Sequence, residues 1–421
     1  MKQRKFSFLD PDKWSEVLQA LLRNKTRSML TAFGVFWGIF MLVFLMGGGK
    51  GFQRLLEANF DGIASNAYFA FARPTTKPYQ GLPEGRQWDL EHADLERVKR
   101  AIPEVELAVP LLAEWAVALQ YKERSTMAIT MKGVSPEYAD IEMPDIVVGR
   151  NINASDVGEH RRVCVLGRQL VSQLFTSAAE AVGKHVKIGG HYYEVVGVNG
   201  RQGHMGIMGP APRTVMVPFS TMQRLGNFGN KIDFLAITIK RGHTVAEIQD
   251  KIRNVLREAH RISPNDEKAV ADFNLEMLFS MINNLFDGIE MLIWMIGLGT
   301  LLSGAIGVSN IMMVTVSERT MEIGIRRAIG ARPSHILAQV LSESMLLTIV
   351  AGLCGIAFAT LLLIGVEYLA ENMTKLEANF QISFFMAIAA AVALALMGAA
   401  AGIMPALRAL KIRPIDAIRD E

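Results

Sequence analysis

Charge is scarce in this sequence. Asp, Glu, Lys and Arg make up 20% of its 421 residues, below the roughly 25% of an ordinary soluble domain, while half of the chain is hydrophobic. The 44 basic and 41 acidic residues nearly cancel, to +3, which excludes the clustered basic face that nucleic-acid binding needs. Cysteine is scarcer still: Cys164 and Cys354 are the whole supply and cannot build a disulfide framework. HExxH, CxxC and GxSxG are missing, so zinc-protease, thiol-redox and serine-hydrolase chemistry have no motif to rest on. No catalytic residue and no metal site is expected. At about 100–200 residues per domain there is room for two or three units.

What the chain has instead is long uncharged runs. Ser28–Gly49, Met291–Ser317, Ser344–Val366 and Ala378–Leu407 each exceed the roughly 18 residues that mark a membrane-helix candidate. Helices are required there, because in hydrocarbon each backbone polar group must be paired within its own segment. The first run is too long for a signal peptide, and Gly47-Gly48-Gly49-Lys50-Gly51 is no cleavage site, so it reads as an uncleaved anchor. The expected fold class is an α-helical integral membrane protein with four transmembrane helices and a large α+β extracytoplasmic domain inserted between helices 1 and 2.

Lys and Arg collect on the cytosolic side of short flanks. Lys2, Arg4, Lys5, Lys13, Arg23, Lys25 and Arg27 precede the first run; Arg319, Arg326, Arg327 and Arg332 separate the second and third; Arg408, Lys411, Arg413 and Arg419 follow the fourth. The loop between the third and fourth carries Glu367, Glu371 and Glu377 against Lys375. Both termini are therefore expected in the cytosol, around a multi-pass membrane chain. The expected boundaries are 1–27 cytosolic, 28–49 first span, 50–287 outer head, 288–317 second span, 318–337 cytosolic connector, 338–366 third span, 367–380 outer loop, 381–407 fourth span and 408–421 tail.

Ahead of the first span, Trp14, Val17, Leu18, Leu21 and Leu22 share one helical stripe, and Asp10-Pro11 suits a helix start. A basic amphipathic helix so placed lies in the membrane interface against lipid headgroups, or packs on another protein helix. In the insertion, Tyr68–Phe71, Val163–Leu166, Val186–Ile188, Tyr192–Val198, Val215–Val217 and Phe234–Ile239 read as strands. Ala108–Gln120 is strand-like or ambiguous, and Asp89–Ala101 and Val245–Ala259 read as helices. The result is a mixed α+β head in two subdomains, with Cys164 as a buried strand thiol. Its Gly-rich segment holds Gly203, His204, Met205 and Met208; it reads as a mobile partner loop rather than a soft-metal site. His185 and His191 match no zinc spacing.

Gly47–Lys50 fails as a P-loop, since Phe44 and Gly51 stand where Gly and Ser or Thr are needed. Gly34 with Gly38, and Gly398 with Gly402, have helix-packing spacing, within one chain or across a dimer. No span carries a charge at its middle, which argues against an ion-coupled midplane site. The connector is the most distinctive stretch. Glu322 and Arg326 form an i,i+4 pair, Met321, Ile325 and Ala328 an apolar stripe, and Gly330 with Pro333 a stop. Such a helix suits a groove in a soluble partner; the alternative is an ordinary connection.

These residues resemble the permease part of MacB-type ATP-binding-cassette (ABC) transporters, the FtsX-like permease family. Asn24-Lys25-Thr26-Arg27-Ser28-Met29-Leu30-Thr31 is similar to its opening N-K-x-R-S-x-L-T, Ser317–Ala331 to its E-R-x-x-E-I-G-I-R-x-A-x-G-A loop, and Pro405-Ala406 with Arg413–Arg419 to its ending. Asp416 and Ile418 stand where Glu and Leu are usual. The resemblance implies a dimer of permeases, two copies or paralogues, on a dimer of ABC ATPase subunits. ATP and Mg would be held by that partner, so this chain needs no cofactor. It implies coupling through Glu318, Glu322, Ile323, Gly324, Ile325, Arg326 and Ala328, and motion of the heads by mechanotransmission. The few residues ahead of the first span leave no room for a fused ATPase, so a separate permease subunit, not an enzyme, is expected. Export or extraction of a drug, peptide or lipoprotein, with a periplasmic adaptor as a further partner, is the leading function. A signalling permease that regulates a cell-wall hydrolase or senses antimicrobial peptides, and a membrane-anchored enzyme, are the alternatives.

Overall fold

A computed structural model describes residues 25–203, 206–374, 380–381 and 384–412. The amphipathic stripe at Trp14–Leu22, His204, Met205 and the tail beyond Ile412 lie outside them. The chain divides into two units. One is Leu55–Leu285; the other is formed by the described residues up to Arg54 and from Phe286 onward.

The uncharged runs become four helices long and apolar enough to cross a membrane. They are α1 (Lys25–Asn59), α8 (Leu275–Glu318), α10 (Pro333–Thr374) and α11 (Phe384–Leu410). Between them α9 (Thr320–Ala328) is a short separate helix. Leu278–Glu290, expected as an outer stalk continuing into the second span, is continuous with that span in α8. Val35, Ile39, Leu42 and Val43 of α1 are buried with Leu301, Val308 and Met312 of α8 and with Leu347 and Ala351 of α10.

Small residues set how closely these helices meet. An added Cβ on Gly38 would sit 3.3 Å from the Thr300 carbonyl oxygen, and one on Gly34 4.0 Å from the Gly304 Cα. On α11, Gly398 faces Met345 and Thr348, and Gly402 faces Ser344; the Ser344 hydroxyl donates to the Gly398 carbonyl at 3.1 Å. Both glycine pairs therefore pack within the chain. Gly355, which its spacing does not single out, is tighter: a Cβ there would lie 2.7 Å from the Phe36 carbonyl oxygen.

In the other unit the strands are β1 (Ala67–Ala72), β2 (Leu90–Glu91), β3 (Val105–Tyr121), β4 (Arg124–Val134), β5 (Ile146–Gly149) and β6 (Val163–Gly167). They continue with β7 (His185–Ile188), β8 (His191–Asn199), β9 (Thr214–Pro218), β10 (Lys231–Ile232), β11 (Phe234–Ile239) and β12 (Val270–Asn274). The helices are α2 (His92–Ala101), the short α3 (Ala154–Gly158), α4 (Arg168–Leu174), α5 (Ala178–Ala181) and α6 (Phe219–Leu225), and the longer α7 (Val245–Ala259).

Among the described residues one mixed sheet runs β12-β1-β11-β3-β4-β9-β6-β8-β5, with β7 on β3 and β8. Its β4–β9 and β6–β8 pairs are parallel. β3 pairs with β11 through Val105–Leu111 and with β4 through Leu112–Tyr121, so one long strand carries both ladders. The register shifts between Glu114 and Val117, where Ala116 takes φ +58; such a bulge turns the strand from one ladder to the other. Cys164 is fully buried in β6, and burial pushes its thiol far up, which leaves it inert.

Candidate functional site

The connector forms a helix because its propensities and ends agree. Glu322 occupies the first turn and Arg326 and Arg327 the last, each favourable to the helix dipole. Gly330 follows at φ +98, a left-handed stop that a Cβ would strain. Pro333 then opens α10 as its first residue, where its missing N–H costs nothing.

Three arginines tie α9 to its neighbours. Arg319 reaches Glu343 of α10 at 3.1 Å, and Glu343 is 7% exposed. Arg326 pairs with Glu322 at 2.8 Å in the i,i+4 order and donates to the Gln339 side-chain oxygen of α10 at 2.9 Å. Arg327 donates to the Leu410 carbonyl at the end of α11 at 2.9 Å and to that of Ile412. A polar cleft between Thr315, Arg319, Glu322, Arg326, Gln339 and Glu343 results.

The other side of α9 is bare. Met321, Ile325 and Ile329 are 57%, 40% and 82% exposed at i, i+4 and i+8, and Ala328 is exposed beside them. Glu318, the last residue of α8, is also exposed. Ile323 and Gly324 require a correction: they are buried, Ile323 in the same core as Val340 and Ile336. Two residues on from Met321, Ile323 points to the opposite side of the helix. The expected contact set therefore splits into exposed residues, Glu318, Glu322, Ile325, Arg326 and Ala328, of which Glu322 and Arg326 also border the cleft against α10, and a buried pair. Arg319, Gln339 and Glu343 were not in that set; the signal for them is Glu343 itself, a lone acid bordering the uncharged run that starts at Ser344.

Of the Gly-rich segment of the other unit, Gly203 and Met208 are among the described residues. Gly203 is buried, and a Cβ there would lie 2.7 Å from the Asn59 carbonyl oxygen, so it offers no surface to a partner. Met208 has φ +63, and its carbonyl accepts from the Trp115 indole N–H at 3.2 Å. Beneath this segment a buried cluster fixes the fold: Glu142 accepts from Lys132 at 2.9 Å and from the Tyr138 hydroxyl at 2.7 Å, with Arg201 at 3.5 Å. Burial, then the Glu142 charge, pushes the Tyr138 phenol well up, so it stays a donor. Among the described residues no group of His, Cys, Asp and Glu could hold a metal ion.

Comparison with known proteins decides the family. The model of the MacB-like periplasmic core domain matches residues 28–255, and that of the FtsX-like permease C-terminal matches residues 294–414. The chain belongs to the MacB-like, FtsX-type permease family of ABC transporters. Among its relatives, this permease is 28% identical over 405 residues to the macrolide export ATP-binding/permease protein MacB of Bdellovibrio bacteriovorus, covering 96% of this chain and 61% of that one. It is 28% identical over 411 residues to the uncharacterized ABC transporter permease YknZ of Bacillus subtilis, covering 96% and 98%. The permease thus spans about three fifths of the MacB chain and nearly all of YknZ. The crystal structure of the periplasmic region of MacB from Actinobacillus actinomycetemcomitans matches 54% of the permease and 96% of that region, at 18% identity and TM-score 0.42.

Proposed function

We propose that this chain is the permease subunit of an ABC transporter of the bacterial inner membrane, working by mechanotransmission. Both termini and α9 face the cytosol, and residues 55–285 form a periplasmic head. Two permeases, identical or paralogous, sit on two ABC ATPase subunits, which hold the ATP and Mg. ATP-driven approach and separation of those subunits moves α9, and the membrane helices carry the motion to the heads. Its work is export or extraction of a drug, peptide or lipoprotein, with a periplasmic adaptor as a further partner.

The observation that carries this reading is the two-sidedness of α9. Its outward face is apolar with Glu322 and Arg326 at its border, as a docking helix needs; Arg326 from that border and Arg319 and Arg327 from the other side tie it to α10 and α11. A displacement of α9 is thereby imposed on two membrane helices at once. The test is co-purification with candidate ATPase chains, followed by ATPase assay. Glu322→Lys and Arg326→Glu, at the exposed border of that face, are expected to release the ATPase. Glu343→Gln, on the inward side, is expected to keep the ATPase bound while uncoupling its rate from the permease. A folded permease that binds no ATPase, or binds it equally well with both charge reversals, ends the reading.

A further inference from the structure

The Leu55–Leu285 unit contains a cavity of about 340 Å³ that the coupling of α9 does not use. Its volume lies at the small end of the roughly 300–1,000 Å³ of ligand pockets. The floor is Phe69, Ile207 and Leu275, all buried; Phe71, Phe234 and Phe273 stand at the open side, Phe273 half exposed. The sheet explains the crowd of aromatics. Phe69 is paired with Phe273 across β1 and β12, and Phe71 meets the Phe234 ring of β11 at 5.3 Å, so adjacent strands point phenylalanines to one face. The opposite face of the same strands lies under α2 and α7 and takes the ordinary aliphatic core.

A charged group, Arg73, accompanies these rings. Strand alternation puts Arg73 on the side of Phe69 and Phe71, and its guanidinium carbon lies 5.4 Å from the Phe71 ring centroid. Arg73 is exposed and makes no ion pair among the described residues. The acid of the neighbouring strand, Asp272, faces the other way, held by Arg253 of α7 at 2.8 Å through both oxygens. Walls without polar side chains give peptides and sugars nothing to bond with, whereas an aliphatic chain needs only contact. The Arg73 cation beside the opening adds a preference for an acid.

We propose that this cavity binds the acyl chain of an anionic amphiphile, the chain lying against Phe69, Phe71 and Phe273 and the acid group at Arg73. The proposal goes beyond the coupling reading and requires no ATPase, so the two fail separately. The full chain in lipid nanodiscs is photolabelled with dodecanoic acid carrying a diazirine at its chain end, and the labelled peptides are identified by mass spectrometry. Label is expected at residues 69–71 and 273–278, displaced by unlabelled dodecanoic acid at about a tenth of the concentration that dodecanol requires. Leu278→Trp, which fills the cavity, and Phe273→Asp, which charges its exposed wall, should each remove that label. Arg73→Gln should keep it but erase the preference for acid over alcohol. Label confined to the membrane helices, or unchanged by both cavity variants in chains that elute as the parent does, overturns the proposal; equal displacement by dodecanol in the parent overturns the role of Arg73.

Discussion

Among single residues, Glu343 and Arg319 depend on each other. Glu343 is almost fully buried and Arg319 about three quarters so, and removing one partner of a buried pair leaves the other charge without compensation, at a cost of about 3 kcal/mol. Replacing both by apolar residues of similar size removes the desolvation penalty as well. Arg319→Met is therefore expected to lower the melting temperature in detergent more than Arg319→Met with Glu343→Met; a double variant no more stable than the single would mean the pair is not mutually dependent. Asp94 is the comparable residue of the other unit. Burial works to raise its carboxyl, but hydrogen bonds from His260 at 2.7 Å, the Glu91 amide at 2.9 Å and Arg97 at 2.6 Å outweigh it and hold the pKa below the usual range. A depressed carboxylate stabilises the fold above its ordinary pKa, and that contribution is lost as pH falls through the lowered value. Asp94→Asn should cost about 2 kcal/mol at neutral pH and flatten the acid limb, read by hydrogen exchange in α2 and α7.

At the level of elements, helix contacts are graded by how much room a glycine leaves. Gly34 has only the Gly304 Cα at 4.0 Å, whereas Gly355 has the Phe36 carbonyl oxygen at 2.7 Å, and backbone cannot rotate aside as a side chain can. Gly34→Ala is expected to be neutral within about 0.5 kcal/mol and Gly355→Ala to cost about 1–3 kcal/mol through the separation of α1 from α10, measured as thermal stability in one detergent. Equal effects would contradict the packing. This contrast also marks what a sequence reveals. The spacing of Gly34 and Gly38 announces close packing but not its partner, and Gly355 lies in no such pair. Strands β1, β6, β8 and β11 are legible because alternating or continuous apolar residues end at turn residues. β4 is not, since Lys132 is fully buried in it and Met127 is 73% exposed, the reverse of what their side chains suggest. On α9 the stripe is legible and its direction is not: Met321 with Ile325 and the opposite-facing Ile323 are apolar alike, and only the contact with α10 decides which turns inward.

For the whole molecule, sidedness orders everything else. Arg319, Arg326, Arg327 and Arg332 crowd the short link around α9, while Glu367 and Glu371 close α10 at its other end, and short basic links stay in the cytosol. Since α8 and α10 are each far longer than the roughly 20 residues needed to cross, one crossing per helix fixes the side of every remaining segment once that of α9 is known. The two native thiols make this easy to test. Cys164 is fully buried, and Cys354 lies in the apolar stretch of α10 that the proposed function puts in the membrane, beyond the reach of a charged maleimide, so neither native thiol is expected to compete for the reagent. Glu137→Cys, at an exposed position of the Leu55–Leu285 unit, is expected to react in intact spheroplasts. Met321→Cys, on the outward face of α9, should react only after the membrane is opened, and less when the cognate ATPase is present. The reverse pattern would place α9 outside, where no ATPase could reach it, and would remove the mechanical reading together with the inference that residues 55–285 are periplasmic.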